Sequence, residues 1–228
     1  MRVVALIPAR AGSKGIVNKN KKNFMGKPLI EWTINAAKKS RFIEEIIIST
    51  DDQDIVEIGR ASGVSVPFIR SSELATDETP MIDVVLDAAS RVSRFDYLLL
   101  LQPTSPFRSS EQIDGIIEFS LRNRCSSAVS VSLVRQFPSL MYTLGKKNRL
   151  KPILKEGVLG AQRRQDEPPI HIINGSLYLV KSKFLFEHAK LITSSTAGYV
   201  LNEDYLIDLD EPIDWFLAER LMEKKNER

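Results

Sequence analysis

Cysteine is all but missing. The single Cys125 excludes an internal disulfide and leaves no cysteine cluster for zinc, so a reducing, cytoplasmic setting is the expectation. Histidine is nearly as scarce. Neither His171 nor His188 stands at metal-ligand spacing from another ligand, and neither is assigned a catalytic role. Long apolar runs are lacking too: Val3–Pro8 is far shorter than the roughly 20 residues of a membrane span. No small-residue cleavage site follows it, so no secretory leader is expected. Outside the first loop and the tail there is no dense Lys/Arg run. The net charge of +3 therefore calls for neither a nucleic-acid polymer nor an acidic membrane surface. Repeats and low-complexity segments are absent.

What is present is an ordinary globular composition. A hydrophobic share of 43% over 228 residues suits one domain with a full core. Four short apolar, β-branched runs mark the first half: Arg2–Pro8, Glu45–Thr50, Val64–Ile69 and Tyr97–Leu101. Helical patterns lie between them. Pro28–Ser40 has Pro28 at the first helical position, Asp52–Ser62 stops at Gly63, and Thr79-Pro80 opens a third helix with Thr79 as its N-cap. Such alternation predicts an α/β fold with a mostly parallel sheet, and the run YLLLL suits a strand covered on both faces. Farther on, a helix is expected over Ser110–Leu121 and strands over Ala128–Leu133 and Gly175–Val180. A short helix near Lys183–Ala189, an extended Tyr205–Asp210 and a helix led by Glu211-Pro212 close the chain. Residues 136–169 break the pattern and read as an arm, either for dimerisation or as a local flap.

Five segments carry chemistry. Directly after the first strand comes IPARAGSKGIVNKNKKN, Ile7–Asn23. Loops at the carboxyl ends of parallel strands are where open α/β sheets bind ligands. Gly12 and Gly15 let backbone N–H groups approach an anion, and Arg10, Lys14 and Lys19 add fixed positive charge. The pattern fits neither a dinucleotide fingerprint nor a P-loop, leaving phosphate binding and a solvated basic loop both open. Near the other end, Asp208 and Asp210 stand two apart in an extended segment, so both carboxylates can face one Mg²⁺. The bland alternative has Asp210 capping the last helix and Asp208 facing solvent.

The third segment, LLLLQPTSPFRS, brings Gln102, Thr104, Ser105 and Arg108 to the ligand edge, with Ser109 as a helix cap. In the fourth, RSSELATD, Arg70 is a candidate for a base carbonyl or a phosphate. In the last, QRRQDEPP with HIINGSLYL, Arg163 and Arg164 offer guanidinium forks for a carboxylate. Trp32 and Trp215 lie in amphipathic helices and are expected in the core.

The ordered set IPARAGSKG with Lys19-Asn20, STD (Ser49–Asp51), RSSELATD, LLQPTSPFR, NGSLY and IDLD resembles the acylneuraminate cytidylyltransferases over nearly the whole chain. The resemblance implies a Rossmann-like nucleotide-binding domain with a small dimerisation arm, a homodimer, and CMP transfer from CTP to the anomeric hydroxyl of an acidic 2-keto sugar. It implies that Arg10, Ser13, Lys14, Lys19 and Asn20 contact CTP, that Arg70 reads cytosine, and that Gln102 and Arg164 face the sugar acid. Asp208 and Asp210 would hold Mg²⁺, and Arg10, Lys14, Lys19 and Asp210 would be the catalytic groups. Two departures fall on the sugar side. An R-P-N-G pattern is replaced by Ile172-Ile173-Asn174-Gly175, and a Pro-x-Lys by Pro138-Ser139-Leu140. The expected acceptor is therefore a nine-carbon 2-keto acid other than ordinary sialic acid, of the legionaminic or pseudaminic type. An eight-carbon acid, a metal-dependent glycosyltransferase and a nucleotide-binding sensor are the competing readings.

Overall fold

A computed structural model of the chain describes residues 1–134, 138–154, 169–201 and 207–227. In chain order its strands are β1 (Val3–Pro8), β2 (Asn23–Phe24), β3 (Lys27–Pro28), β4 (Ile43–Ser49), β5 (Tyr97–Leu100), β6 (Ser127–Leu133), β7 (Tyr142–Leu144), β8 (Leu150–Pro152), β9 (His171–Lys181) and β10 (Ala197–Val200). The helices are α1 (Leu29–Lys38), α2 (Gln53–Ala61), α3 (Met81–Ser90), α4 (Ser110–Arg122), α5 (Ser182–His188) and α6 (Pro212–Asn226).

β1 is buried at every position, as a strand covered on both faces must be. It pairs in parallel with β4 on one side and β5 on the other. The six-stranded sheet runs β10-β6-β9-β5-β1-β4, and only β9 is antiparallel to its neighbours. The expected mostly parallel α/β sheet is therefore present.

One face packs Ile34 of α1, Ile55 of α2 and Ile113 and Ile117 of α4 against the sheet. The other face takes Val85 and Ala88 of α3 and Leu185 of α5. A third apolar cluster joins Phe24, Leu29, Trp215 and Met222, and it also holds Ile16 and Leu209. Phe24 meets Trp32 and Trp215 edge-on, with ring centroids 6.0 and 5.2 Å apart, so both tryptophans are structural as expected. Burying each such side chain contributes on the order of 1.5–3 kcal/mol.

Several expectations need correction. Val64–Ile69 is no strand: it touches β4 only through the isolated bridges Ile47–Ser65 and Thr50–Ile69. Pro67 has no N–H to donate, so a continuous ladder cannot form there. Thr79 does not cap α3. Pro80 holds the cap position without a side-chain bond, while the Thr79 hydroxyl donates to the Glu73 carbonyl at 3.1 Å. Pro28 lies just before α1, paired with Asn23 in the β2–β3 hairpin, and the helix begins at Leu29. Ser109 does cap α4, in a reciprocal box with Gln112. Of the arm, the described residues 138–154 contain the β7–β8 hairpin, in which Leu144 pairs with Leu150.

Candidate active site

The carboxyl ends of β1, β4 and β5 share one edge of the sheet. Because β9 runs the other way, its N-terminal half reaches the same edge. A cleft of about 430 Å³ opens there, lined by Arg10, Ser13, Lys14, Lys19, Asn20, Arg70, Gln102 and Asp210 among others. Of the residues expected from the sequence, Asp208 lies next to this wall rather than on it. Arg164, with Arg163, falls outside the described residues.

The loop after β1 is fixed by bonds that no local pattern reveals. Ala11 N–H donates to Asp51 Oδ1 at 2.8 Å, and Asn20 Nδ2 donates to the Arg10 carbonyl at 3.1 Å. Gly12 takes the left-handed φ of +67° that lets the chain turn back between them. Arg10 and Lys14 converge on Asp77: the guanidinium bonds Oδ1, and Lys14 Nζ lies 2.9 Å from Oδ2. Those bonds, Lys14's first, hold the Asp77 carboxyl below the usual carboxylate range.

Lys19 has a different task from the other two cations. Buried at 8% exposure, its ammonium donates to the Leu209 carbonyl and lies 3.1 Å from Asp210 Oδ1. It thus fastens the loop after β1 to the acidic segment. Gly15 closes the same joint by contact, since a Cβ built on it would fall 2.0 Å from the Asp210 carbonyl oxygen. Ile16 and the fully buried Leu209 stand on the same apolar cluster below.

The acidic segment is bent rather than flat. Asp210 N–H donates to the Asp208 carbonyl at 3.1 Å, and Leu209 N–H to the Thr104 carbonyl at 2.9 Å. The capping reading of Asp210 fails, because Glu211 caps α6 in a reciprocal box with Asp214. Asp208 is exposed, as the bland alternative has it, although nearby protein partly desolvates its carboxyl. Desolvation first, and then the neighbouring Asp210 charge, push its carboxyl up from the ordinary value, against a hydrogen bond from Thr104. Two hard carboxylates suit Mg²⁺ shared with phosphate oxygens. Among the described residues no cluster of three His, Cys, Asp or Glu could form an all-protein cage.

Gln102 follows β5, and Arg108 holds its backbone. The Arg108 guanidinium, 4% exposed, donates to the Gln102 carbonyl, to Ser176 Oγ at 3.3 Å and to Thr33 Oγ1 at 3.4 Å. Burial pushes its pKa down to about 9, which leaves it cationic at neutral pH. Arg108 is thus a buried strut rather than a ligand-facing group. Across the cleft, a register shift in the β6–β9 pairing lies beside Gly175, whose φ is +75°. A Cβ there would sit 3.4 Å from both Gln102 Oε1 and Asp208 Oδ2, so this bend brings amide and carboxylate together. Asn174 Oδ1 accepts from Ser130 Oγ at 2.6 Å, while its buried Nδ2 has no partner among the described residues. Beside Gln102 lies a second, apolar cleft of about 280 Å³, walled by Met81, Tyr178, Leu191 and Ile192.

Arg70 is 4% exposed and lies under the end of β4, donating from Nε to Ser49 Oγ at 3.0 Å. Burial lowers its pKa to about 10, with the nearby Asp51 working the other way. Sequence reasoning singled out neither Asp51 nor Asp77, although both lie in motifs it quoted. Their roles come from contacts 40 and 67 residues away in the chain.

Comparison with known proteins identifies the family and the fold. A model of the family described as cytidylyltransferase matches residues 4–224. The CMP-N,N′-diacetyllegionaminic acid synthase of Legionella pneumophila is 40% identical over 233 residues, covering 100% of this chain and 99% of that protein. The N-acylneuraminate cytidylyltransferase of Streptococcus agalactiae is 33% identical over 94% of this chain, which spans only 52% of that longer protein. Among solved structures, a CMP:2-keto-3-deoxy-manno-octonic acid synthetase complexed with CTP superposes with a TM-score of 0.73 at 17% identity. It covers 99% of this chain and 100% of its own, a likeness of fold. With the family model matching nearly end to end, the chain belongs to the cytidylyltransferase family.

Proposed function

We propose that this nucleotidyltransferase moves CMP from CTP to the anomeric hydroxyl of a nine-carbon 2-keto sugar acid of the legionaminic type, releasing pyrophosphate. The observation that carries the reading is the joint between a basic loop and an acidic pair, made by Lys19 and by the Gly15–Asp210 contact. In-line transfer to the α-phosphorus needs alignment and charge neutralisation more than covalent catalysis. Arg10, Ser13, Lys14 and Asn20 would hold the triphosphate, and Arg70 would face the cytosine. Lys19 would keep the acidic pair in register with the phosphates. Asp208 and Asp210 would hold Mg²⁺, which when bound neutralises phosphate charge and lowers the pKa of the attacking hydroxyl.

Gln102 would bond the sugar acid, with Arg164 on its carboxylate and the apolar cleft beside Tyr178 taking an acyl or deoxy group. The choice of sugar rests on the 40% identity to the Legionella synthase and on Ile172-Ile173 standing where sialate enzymes resemble Arg-Pro. A homodimer is part of the proposal. The β7–β8 arm exposes Leu140, Leu144 and Leu150 to 76%, 71% and 65%, an apolar surface suited to a second copy. Light scattering would test it, and a monomer at micromolar concentration refutes it. CTP as donor also suits a cytoplasmic enzyme.

The deciding experiment incubates the protein with CTP, Mg²⁺ and single 2-keto acids, scoring pyrophosphate and CMP-sugar. Turnover is expected to favour N,N′-diacetyllegionaminic acid over N-acetylneuraminic acid. Equal rates with both refute the sugar assignment, and preference for an eight-carbon acid replaces it. No pyrophosphate with any acid refutes the transfer itself.

A further inference from the structure

Asp77 belongs to none of the roles above, yet it touches two of the cations most central to them. One carboxylate bridges both, with Arg10 on Oδ1 and Lys14 on Oδ2. Both terminal nitrogens of Arg10 are engaged: Nη1 donates to the Gly12 carbonyl at 3.2 Å and approaches that of Ala11 at 3.5 Å, and Nη2 donates to Asp77. A phosphate oxygen taking the N–H that faces Asp77 displaces the carboxylate, and one taking another N–H meets a cation that Asp77 already partly neutralises. Asp77 is carried on a turn of its own, where the Thr76 and Thr79 hydroxyls pair at 2.7 Å. The carboxylate is thus offered to the loop from outside, and it does not line the cleft.

We propose that Asp77 is an internal counter-anion of the phosphate loop, competing with nucleoside triphosphate and pyrophosphate for Arg10 and Lys14. This rests on the reading that those two cations receive the phosphates of CTP. Removing the competitor makes both polyphosphates bind more tightly and leave more slowly. The pairs are solvent-accessible, with side-chain exposures of 27%, 76% and 29% for Arg10, Lys14 and Asp77, so the effect is bounded. Exposed pairs of this kind correspond to roughly three- to ten-fold in affinity.

The test is titration calorimetry of CTP and of inorganic pyrophosphate against the wild type, Asp77→Asn and Lys14→Ala/Asp77→Asn. Asp77→Ser serves if the asparagine variant does not fold, and Glu187→Gln controls for the loss of one negative charge. Asp77→Asn is expected to bind both ligands about three- to ten-fold more tightly, with pyrophosphate a correspondingly stronger product inhibitor. That gain should shrink when Lys14 is also gone. Unchanged or weaker binding in folded Asp77→Asn overturns the proposal. So does an equal gain in Glu187→Gln, which makes the effect one of net charge. If the wild type itself does not bind CTP, the functional reading fails instead, which is a separate outcome.

Discussion

Replacing Gly15 by alanine adds one methyl group at the joint between the loop after β1 and the acidic segment. Gly15 does not have a left-handed φ, so alanine suits its backbone and the perturbation is steric alone. The new Cβ would lie 2.0 Å from the Asp210 carbonyl oxygen and 3.2 Å from its carbonyl carbon. Ordinary contact begins near 3.4 Å, so loop and acidic segment must separate by about 1.4 Å. The obstructing atoms are backbone, held by Lys19 and by Leu209 in its apolar seat, and cannot swing aside as a side chain would. Misplacing reacting groups by about 1 Å costs on the order of 100-fold in rate. Steady-state pyrophosphate release should therefore show kcat down by about that factor, with KM for CTP changed far less. Gly12→Ala is the comparison, because a Cβ there meets nothing within 4 Å and the difficulty is only the φ of +67°. Its cost, roughly 1–2 kcal/mol, falls on the loop and should appear mainly in KM. A Gly15→Ala enzyme with wild-type kcat would refute the idea that this contact sets the spacing of the two halves.

Three further outcomes follow from the same geometry. Asp208→Asn should abolish turnover yet slightly raise the melting temperature at pH 7, by little because the residue is exposed and its charge screened. The sign comes from its raised pKa: the folded state resists ionising the group, so the wild type pays that cost above the raised value. The advantage of asparagine should fade as pH falls toward the ordinary 3.8, and a variant less stable than wild type at pH 7 refutes the assignment. Arg108→Met should cost about 3 kcal/mol, or roughly 6–12 °C in thermal melts, because three acceptors lose a charged donor. A loss below 1 kcal/mol would mean that desolvation had cancelled those bonds. Lys14→Ala should raise KM for CTP by about ten-fold with little change in kcat, and an unchanged KM removes Lys14 from the triphosphate site.

That the loop after β1 would line the cleft was legible because its information is local. Glycines, cations and a preceding buried strand lie within Val3–Asn20, and short-range periodicity placed the helices around them. What escaped depends on partners far along the chain. Nothing near Asp77 announces Arg10, and nothing near Ala11 announces Asp51. The run Val64–Ile69 has strand-like composition, but a proline and an edge position reduce it to two bridges. The two-residue strands β2 and β3 are too short to have a period at all. The bend at Asp208–Asp210 was hidden for a related reason, since it follows from Leu209 bonding to the distant Thr104 rather than from its own residues. β9 was expected as a strand, but its direction is a property of the sheet.

That reversed strand has a consequence for substitution. In an all-parallel sheet, the ligand edge is written only by loops that follow strands, and each such loop is also a connection the fold needs. By entering backwards, β9 delivers Asn174 and Gly175 to that edge from the N-terminal half of a strand rather than from a loop that follows one. On the proposed reading, substitutions in the N-terminal half of β9 would alter the acceptor side while the loop after β1, held by Asp51, Asp77 and Asp210, keeps its shape.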